Sequence, residues 1–139
     1  MNKKKTAGNR PSASNQPIAA LYRLGADTPR GEAVRTVLSA QGVRVRTISV
    51  EQLGDPVGAI VGMAGFHHSG KPFVGDAPDC EFMLLHNVSS GKLNELLAAM
   101  READCSVGCK AQVTQHNRLW PIATLIAEVA REHALMAKE

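Results

Sequence analysis

Two almost continuous apolar runs, about 63 residues apart, constrain the fold of this chain more than any other feature. The first covers residues 18–24 and ends at Gly25, and the second covers residues 81–88. Short apolar runs bounded by polar residues are typical of strands that are covered on both faces of a sheet. Each run is followed by a helical pattern and then by an alternating segment, so the chain is predicted to contain two βαβ units.

The segments that follow the two runs carry helix start and stop signals. Asp27-Thr28-Pro29 supplies a capping side chain and a first-turn proline, and Gly42 is well placed to end that helix. Ser89-Ser90 gives the second helix a similar start. The alternating segments 43–50 and 105–114 are less apolar, so we expect strands 1 and 3 at the centre of a four-stranded sheet and strands 2 and 4 at its edges.

A third helical pattern starts near residues 117–121 and runs close to the C-terminus. Its apolar seam can pack on the sheet or on a second copy of the same helix, which predicts a homodimer as one use of this helix. The seam consists of Leu119, Ile122, Ile126, Val129, His133 and Met136. The prediction is a single α/β domain over residues 18–139. A ferredoxin-like α+β fold is the alternative, because the connection 51–79 decides whether the chain crosses over or returns.

Residues 1–17 are predicted to form a disordered basic tail, because they hold no large apolar residue after Met1. Four of the 16 basic residues lie in this tail, which has no acidic residue, so the rest of the chain has 12 basic and 13 acidic residues. The formal charge of +3 is therefore a property of the tail. Nucleic-acid binding would depend on this tail and on the arginines of residues 18–50, and it is not favoured.

The three cysteines are an odd number in a chain without an apolar signal segment, which predicts a cytoplasmic protein. No run approaches the roughly 18 apolar residues of a membrane span, so no membrane partner is expected. Cys105 and Cys109 fall on one face of a predicted strand, where we expect buried and inert thiols.

Glycines in the segment 51–65 recur every four residues, at Gly54, Gly58 and Gly62. Glycine lets backbone amides approach a ligand closely, and amides that open a helix can bind phosphate or carboxylate. The segment matches neither GxxxxGK[ST] nor the dinucleotide-binding fingerprint. It is interpreted either as a short helix that packs closely on a neighbour or as a ligand loop, and the long loop 66–79 follows it.

The segment Thr114–Pro121 joins strand 4 to the last helix and holds the only tryptophan. Thr114 and Asn117 can cap the start of that helix, and Trp120 can anchor it. Two residues of the turn, with Lys110 before it, remain available for an anion. The predicted ligand-binding residues, with the two glycines of the preceding segment, are Gly58, Gly62, Lys110, His116 and Arg118.

The five histidines form no HxH or HxxxH pair, and no metal site is predicted. His86, at the end of strand 3, and His116 are the candidates for an acid or base in a pocket under the 66–79 loop. No catalytic residue and no cofactor can be assigned.

Three segments share a further pattern. They are Leu53-Gly54-x-Pro56-Val57-Gly58-x-Ile60-Val61-Gly62, then Phe82-Met83-Leu84-Leu85, and finally Lys110-Ala111-x-Val113-Thr114-x-x-Asn117-x-x-Trp120 with Glu132-His133 after it. Together they resemble a family of small bacterial and archaeal domains of unknown function. The resemblance spans approximately residues 18–135, without the loop 67–78. It implies a standalone cytoplasmic module and implies no activity.

The leading hypothesis is a non-catalytic binding or regulatory module that binds a small anion or self-associates through its last helix. A small enzyme that uses a histidine as acid or base is the alternative. A nucleic-acid-binding accessory protein is the third hypothesis.

Overall fold

One four-stranded sheet with helices on both faces forms the fold in the computed structural model, which describes residues 16–137. The strands are β1 (Ile18–Tyr22), β2 (Arg44–Ile48), β3 (Phe82–His86) and β4 (Lys110–Gln112). The helices are α1 (Pro29–Ala40), α2 (Val57–Ile60), α3 (Ser90–Glu102) and α4 (Ile122–Ala137), with a 3₁₀ turn at Val50–Gln52. The predicted tail lies outside the described residues except for Gln16 and Pro17.

The strand order β2-β1-β3-β4 confirms that strands 1 and 3 are central and strands 2 and 4 are at the edges. Within each βαβ unit the two strands are parallel, whereas β1 and β3 are antiparallel, so the sheet is mixed. An all-parallel sheet is not observed. The connection between β2 and β3 contains only the 3₁₀ turn, α2 and a long loop, and the chain returns along the sheet in the opposite direction.

Side chains of β1 and β3 alternate between two apolar clusters. Ala19 and Leu21 face α1 and α3, whereas Ala20 and Tyr22 face α2 and α4. Every residue of β1 is buried, because both faces of this strand are covered.

An approximate twofold axis between β1 and β3 relates the two halves of the fold. Ala20 pairs with Leu84 at the centre of the two strands. A rotation that places β1 on β3 exchanges the pair Ile18–His86 with the pair Tyr22–Phe82. Each half runs strand, helix, strand, helix. Left-handed residues recur at matching positions: Arg23 (φ 60°) and Asn87 (φ 61°) follow β1 and β3, and Gly42 (φ 76°) and Asp104 (φ 57°) follow α1 and α3.

The predicted caps of α1 and α3 are present, whereas Thr114 and Asn117 bond within the turn and do not cap α4. Thr28 accepts a hydrogen bond from the amide of Gly31 at 3.0 Å, and Ser89 accepts one from the amide of Lys92 at 3.2 Å. Each bond pairs one of the amides that have no partner inside the helix.

Strand β4 is shorter than the predicted strand over residues 105–114. After α3 the chain turns at Asp104 and joins the sheet only at Lys110. Cys105 therefore belongs to the cluster under α1 and α3, and Cys109 belongs to the cluster under α4. The prediction that these cysteines share a face was wrong, although both are buried.

The C-terminal helix confirms part of the predicted seam. Ile122 and Ile126 are fully buried and Val129 is partly buried, but Leu119 precedes the helix and is 70% exposed. All of residues 131–136 are exposed, so the last turns of α4 extend past the core. Within residues 16–137, no helix combines the length and apolar character that a membrane crossing requires.

Candidate functional site

Two matching turns lead into α2 and α4. In the first, the side chain of Gln52 accepts a hydrogen bond from the amide of Ser49 at 2.8 Å. In the second, the side chain of Asn117 accepts one from the amide of Thr114 at 2.9 Å. Each turn ends in a proline directly before a helix, so the segment Thr114–Pro121 has a structural counterpart in residues 49–56.

The two turns meet at the approximate twofold axis, where Pro56 and Pro121 form an antiparallel bridge. The amide of Val57 donates to the carbonyl of Trp120, and the amide of Ile122 donates to the carbonyl of Asp55, both at 2.8 Å. We call this reciprocal set of bonds the proline clasp.

The clasp extends to the second residue of each helix. The amide of Gly58 donates to the carbonyl of Arg118 at 2.9 Å, and the amide of Ala123 donates to the carbonyl of Leu53 at 3.0 Å. The first two amides of both helices therefore have carbonyl partners, and an anion at either helix start would have to displace one of them.

The two predicted glycines of the site lie in tightly packed positions. A side chain at Gly58 would come within 2.6 Å of the ring of Phe66. Gly62 has φ 76° and lies under the guanidinium of Arg46, which also donates to the carbonyl of Ile60 at 3.2 Å. These contacts support the interpretation of the segment as a short helix that packs closely on its neighbours.

The other three predicted residues have different surroundings. The ring of His116 meets that of Trp120 edge-on, with centroids 5.7 Å apart, and the Nε of Arg118 is buried without a hydrogen-bond partner in the described part of the chain. Lys110 lies on the α3 side of the sheet and donates to the carbonyl of Val107 at 2.9 Å. The sheet separates it from Trp120, which packs on the opposite cluster. An anion-binding role for the predicted set of five stays a prediction.

A carboxylate–imidazole pair that the sequence did not reveal lies beside the first turn. The side chain of Asp55 is only 4% exposed and accepts hydrogen bonds from Nδ1 of His68 and from the amide of Ser69, the latter at 2.8 Å. Burial alone would raise the pKa of Asp55, but the hydrogen bonds from these two partners outweigh it and hold that pKa below its usual value. Asp55 is therefore ionised at neutral pH.

The pair lies at the rim of a cavity of about 570 Å³ between the first turn and the 66–79 loop. Its volume falls within the range of about 300–1,000 Å³ that is typical of small-molecule sites. The walls combine apolar side chains with one lysine, one glutamate and the pair itself. The lining residues are Val50, Glu51, Gln52, Asp55, His68, Gly70, Lys71, Pro72 and Phe73.

This cavity lies beside the loop under which an acid or base was predicted, but the histidine that lines it is His68. His86 lies half-buried at the end of β3, where burial lowers its pKa. The two matching turns could have been found from a sequence pattern that occurs twice. It is Ser49-x-x-Gln52 followed by Pro56, and Thr114-x-x-Asn117 followed by Pro121. Nothing in the sequence pairs Asp55 with His68.

A second cavity of about 560 Å³ shares Phe73 with the first and lies between residues 73–80 and the first half of α4. In the part of the chain that the structure describes, no group of three or more His, Cys, Asp or Glu side chains is arranged to hold a metal ion.

The fold and the cavity define a small mixed α/β domain with two approximately equivalent halves. A family model described as a domain of unknown function (DUF3783) matches residues 81–136. The matched segment begins just before β3 and ends within α4, so it coincides with the second half of the fold. The match supports the resemblance to a family of unknown function and brings no activity with it. No curated protein and no solved structure matches the chain.

Proposed function

We propose that this protein is a small-ligand-binding module whose ligand occupies the cavity between the first turn and the 66–79 loop. The observation that carries the proposal is the buried carboxylate of Asp55, which holds the imidazole of His68 at the cavity rim. A buried ionised carboxylate is costly to maintain unless it is paired. Its use to orient one exposed side chain beside a cavity of ligand size is typical of a binding site.

The geometry of the pair determines what His68 can offer to a ligand. A carboxylate only accepts hydrogen bonds, so Nδ1 of His68 carries the proton that is donated to Asp55. In the neutral ring the other nitrogen, Nε2, then carries a lone pair and is a hydrogen-bond acceptor. His68 can therefore accept a hydrogen bond from a hydroxyl or amide group of a ligand.

The remaining walls support an anionic ligand with an apolar portion. Lys71 contributes a positive charge, whereas Val50, Pro72 and Phe73 offer apolar surface. Glu51 opposes a ligand of high negative charge. A small carboxylate or a phosphate monoester with an apolar body fits this combination better than a polyphosphate.

The test is a thermal-shift screen of small carboxylates, phosphate monoesters, nucleotides, acyl-coenzyme A compounds and divalent metals, followed by calorimetric titration of each compound that raises the melting temperature. The variants His68→Ala and Lys71→Ala should each weaken binding at least tenfold. Arg44→Ala removes one charge from an exposed strand position and should leave binding unchanged. Equal binding by all three variants would refute this location of the site.

Acid or base chemistry by the same pair is the second candidate function, because an imidazole oriented by a carboxylate is a recurring arrangement for proton transfer. A hydrolysis screen with chromogenic carboxylic and phosphoric esters tests it, and turnover should disappear in His68→Gln. Turnover that survives this substitution would exclude His68 as the base.

Self-association through α4 is a third candidate, favoured by the exposure of Leu135 (52%) and Met136 (75%) at the end of this helix. Light scattering after size-exclusion chromatography should give twice the monomer mass for the wild type and the monomer mass for Leu135→Lys. A wild-type monomer at all concentrations would exclude it.

A further inference from the structure

Cys80 and Cys109 lie at the same edge of the sheet, although 29 positions separate them in the sequence. Cys109 directly precedes β4 and Cys80 lies two residues before β3, and these strands are parallel neighbours. The amide of Met83 donates to the carbonyl of Cys109 at 3.1 Å, which fixes the two segments side by side.

The side chains of Cys80 and Cys109 lie on the same face of the sheet. Both side chains pack in the apolar cluster under α4, and the Cys109 thiol is near enough to contribute to the raised pKa of Cys80. Cys105 belongs to the cluster on the opposite face of the sheet, so it is separated from this pair.

The two thiols differ in exposure. Cys109 is buried, whereas Cys80 is half-buried and lines the second cavity. A small reagent can therefore reach Cys80 first. Burial, together with the neighbouring Cys109, raises the pKa of the Cys80 thiol, which makes its reaction slow at neutral pH but does not prevent it.

We propose that Cys80 and Cys109 form an intramolecular disulfide when the protein meets an oxidised low-molecular-weight disulfide. The thiolate of Cys80 attacks the small disulfide, forms a mixed disulfide and releases one small thiol. The sulfur of Cys109 then attacks Cys80, and the second small thiol leaves. The two cysteine protons end on the two released thiols, so the protein is oxidised by two electrons and the small disulfide is reduced by two.

The bond would fasten the end of the 66–79 loop to the edge of the sheet. Two residues before Cys80, the carbonyl of Pro78 already accepts hydrogen bonds from the hydroxyl of Tyr22 at 2.7 Å and from Nε of Arg23 at 2.9 Å. Phe73, earlier in this loop, lines both cavities. Oxidation would therefore restrict the segment that forms one wall of the ligand cavity.

In the test, the folded protein is treated with oxidised glutathione and its mass is measured. The remaining thiols are then alkylated and counted, and the disulfide-linked peptides are identified. The three thiols of the reduced chain should fall to one, the monomer should lose the mass of two hydrogen atoms, and one linked peptide pair should contain Cys80 and Cys109. The urea midpoint of the oxidised protein should rise by roughly 1 M, because the bond closes a loop in the unfolded chain.

Two variants serve as controls, one that keeps both cysteines of the proposed bond and one that removes Cys80. Cys105→Ala should form the same bond at the same rate, and Cys80→Ser should retain all its remaining thiols. An unchanged thiol count in the folded wild type would overturn the proposal. So would a linked peptide that contains Cys105, a disulfide between two chains, or a mixed disulfide on Cys80 beside a free Cys109.

Discussion

Gly31, in the first turn of α1, provides the sharpest test of the packing, because there is no room for a Cβ atom at this position. A Cβ added at this position would lie 2.0 Å from the carbonyl oxygen of Gly25 and 2.6 Å from the carbonyl carbon of Leu24. Cβ contacts in proteins are essentially never shorter than 3.0 Å. The helix and the preceding turn would have to separate by about 1 Å to accept Gly31→Ala.

The backbone atoms next to Gly31 cannot move away without weakening hydrogen bonds. The carbonyl of Gly25 accepts hydrogen bonds from the amide of Thr28 at 3.1 Å and from its hydroxyl at 2.8 Å. Overpacking costs about 1–3 kcal/mol, and loss of one such bond adds about 1 kcal/mol. Alanine offsets about 0.4–1 kcal/mol of this loss, because it lowers the conformational entropy of the unfolded chain. The expected net loss is about 1–3.5 kcal/mol in the free energy of unfolding, or roughly 5–15 °C in melting temperature.

Gly91, in the first turn of α3, is the matched control, because a Cβ added there meets no atom within 4 Å. Gly91→Ala should stabilise the protein by about 0.4–1 kcal/mol. Urea unfolding followed by circular dichroism and by Trp120 fluorescence measures both variants. Equal stability of Gly31→Ala and the wild type, or an equal loss in Gly91→Ala, would refute the packing argument.

Three further predictions concern the site and its surroundings. Asp55→Asn should lower the free energy of unfolding by about 1.5–3 kcal/mol in urea titrations, because a charged hydrogen-bond acceptor is lost. In the folded protein the pKa of Asp55 is lowered, so its ionised carboxylate adds to the free energy of unfolding above the unfolded value near 3.8, and this stabilisation disappears as pH falls through the folded value. The wild-type urea midpoint should therefore fall more steeply below about pH 4 than that of Asp55→Asn. Gly58→Ala should displace the ring of Phe66 and cost about 1–3 kcal/mol in thermal melts, whereas Gly54→Ala, with its nearest contact at 3.9 Å, should be close to neutral.

The central strands and the helix starts could be predicted because their signals are local. The apolar run 18–24 requires cover on both faces, and Thr28 with Pro29 identifies the start of α1 within a few residues. Gly42 ends this helix for the same local reason, since its φ of 76° is easily reached only by glycine.

The direction of β3 relative to β1 could not be predicted, because it depends on the path of the whole connection between β2 and β3. That connection holds a single 3₁₀ turn and the four-residue helix α2, and neither gives a strong periodic pattern. The length of β4 was also overestimated. Alternation in residues 105–109 reflects burial on two different faces and does not reflect pairing in the sheet.

The candidate site was only partly accessible to sequence reasoning. The turn Thr114–Pro121 attracted attention through its composition, but Thr114 and Asn117 bond to each other within the turn. The first two amides of α4 bond instead to carbonyls of the other half of the chain. The contact between Asp55 and His68 joins two segments without periodicity, and only the folded loop brings them together. Aspartate before proline suggests a turn by itself, so the buried carboxylate gave no sign of its partner.

The proline clasp makes the two halves of the chain depend on each other for folding. A separated half would expose the first amides of its own helix and two carbonyls that the other half normally uses. The arrangement has the connectivity of a two-subunit dimer joined by a linker, so neither half should be stable alone and unfolding should be a single cooperative transition. The amide protons of Val57 and Ile122 should therefore exchange with solvent only when the whole domain opens, and at equal rates.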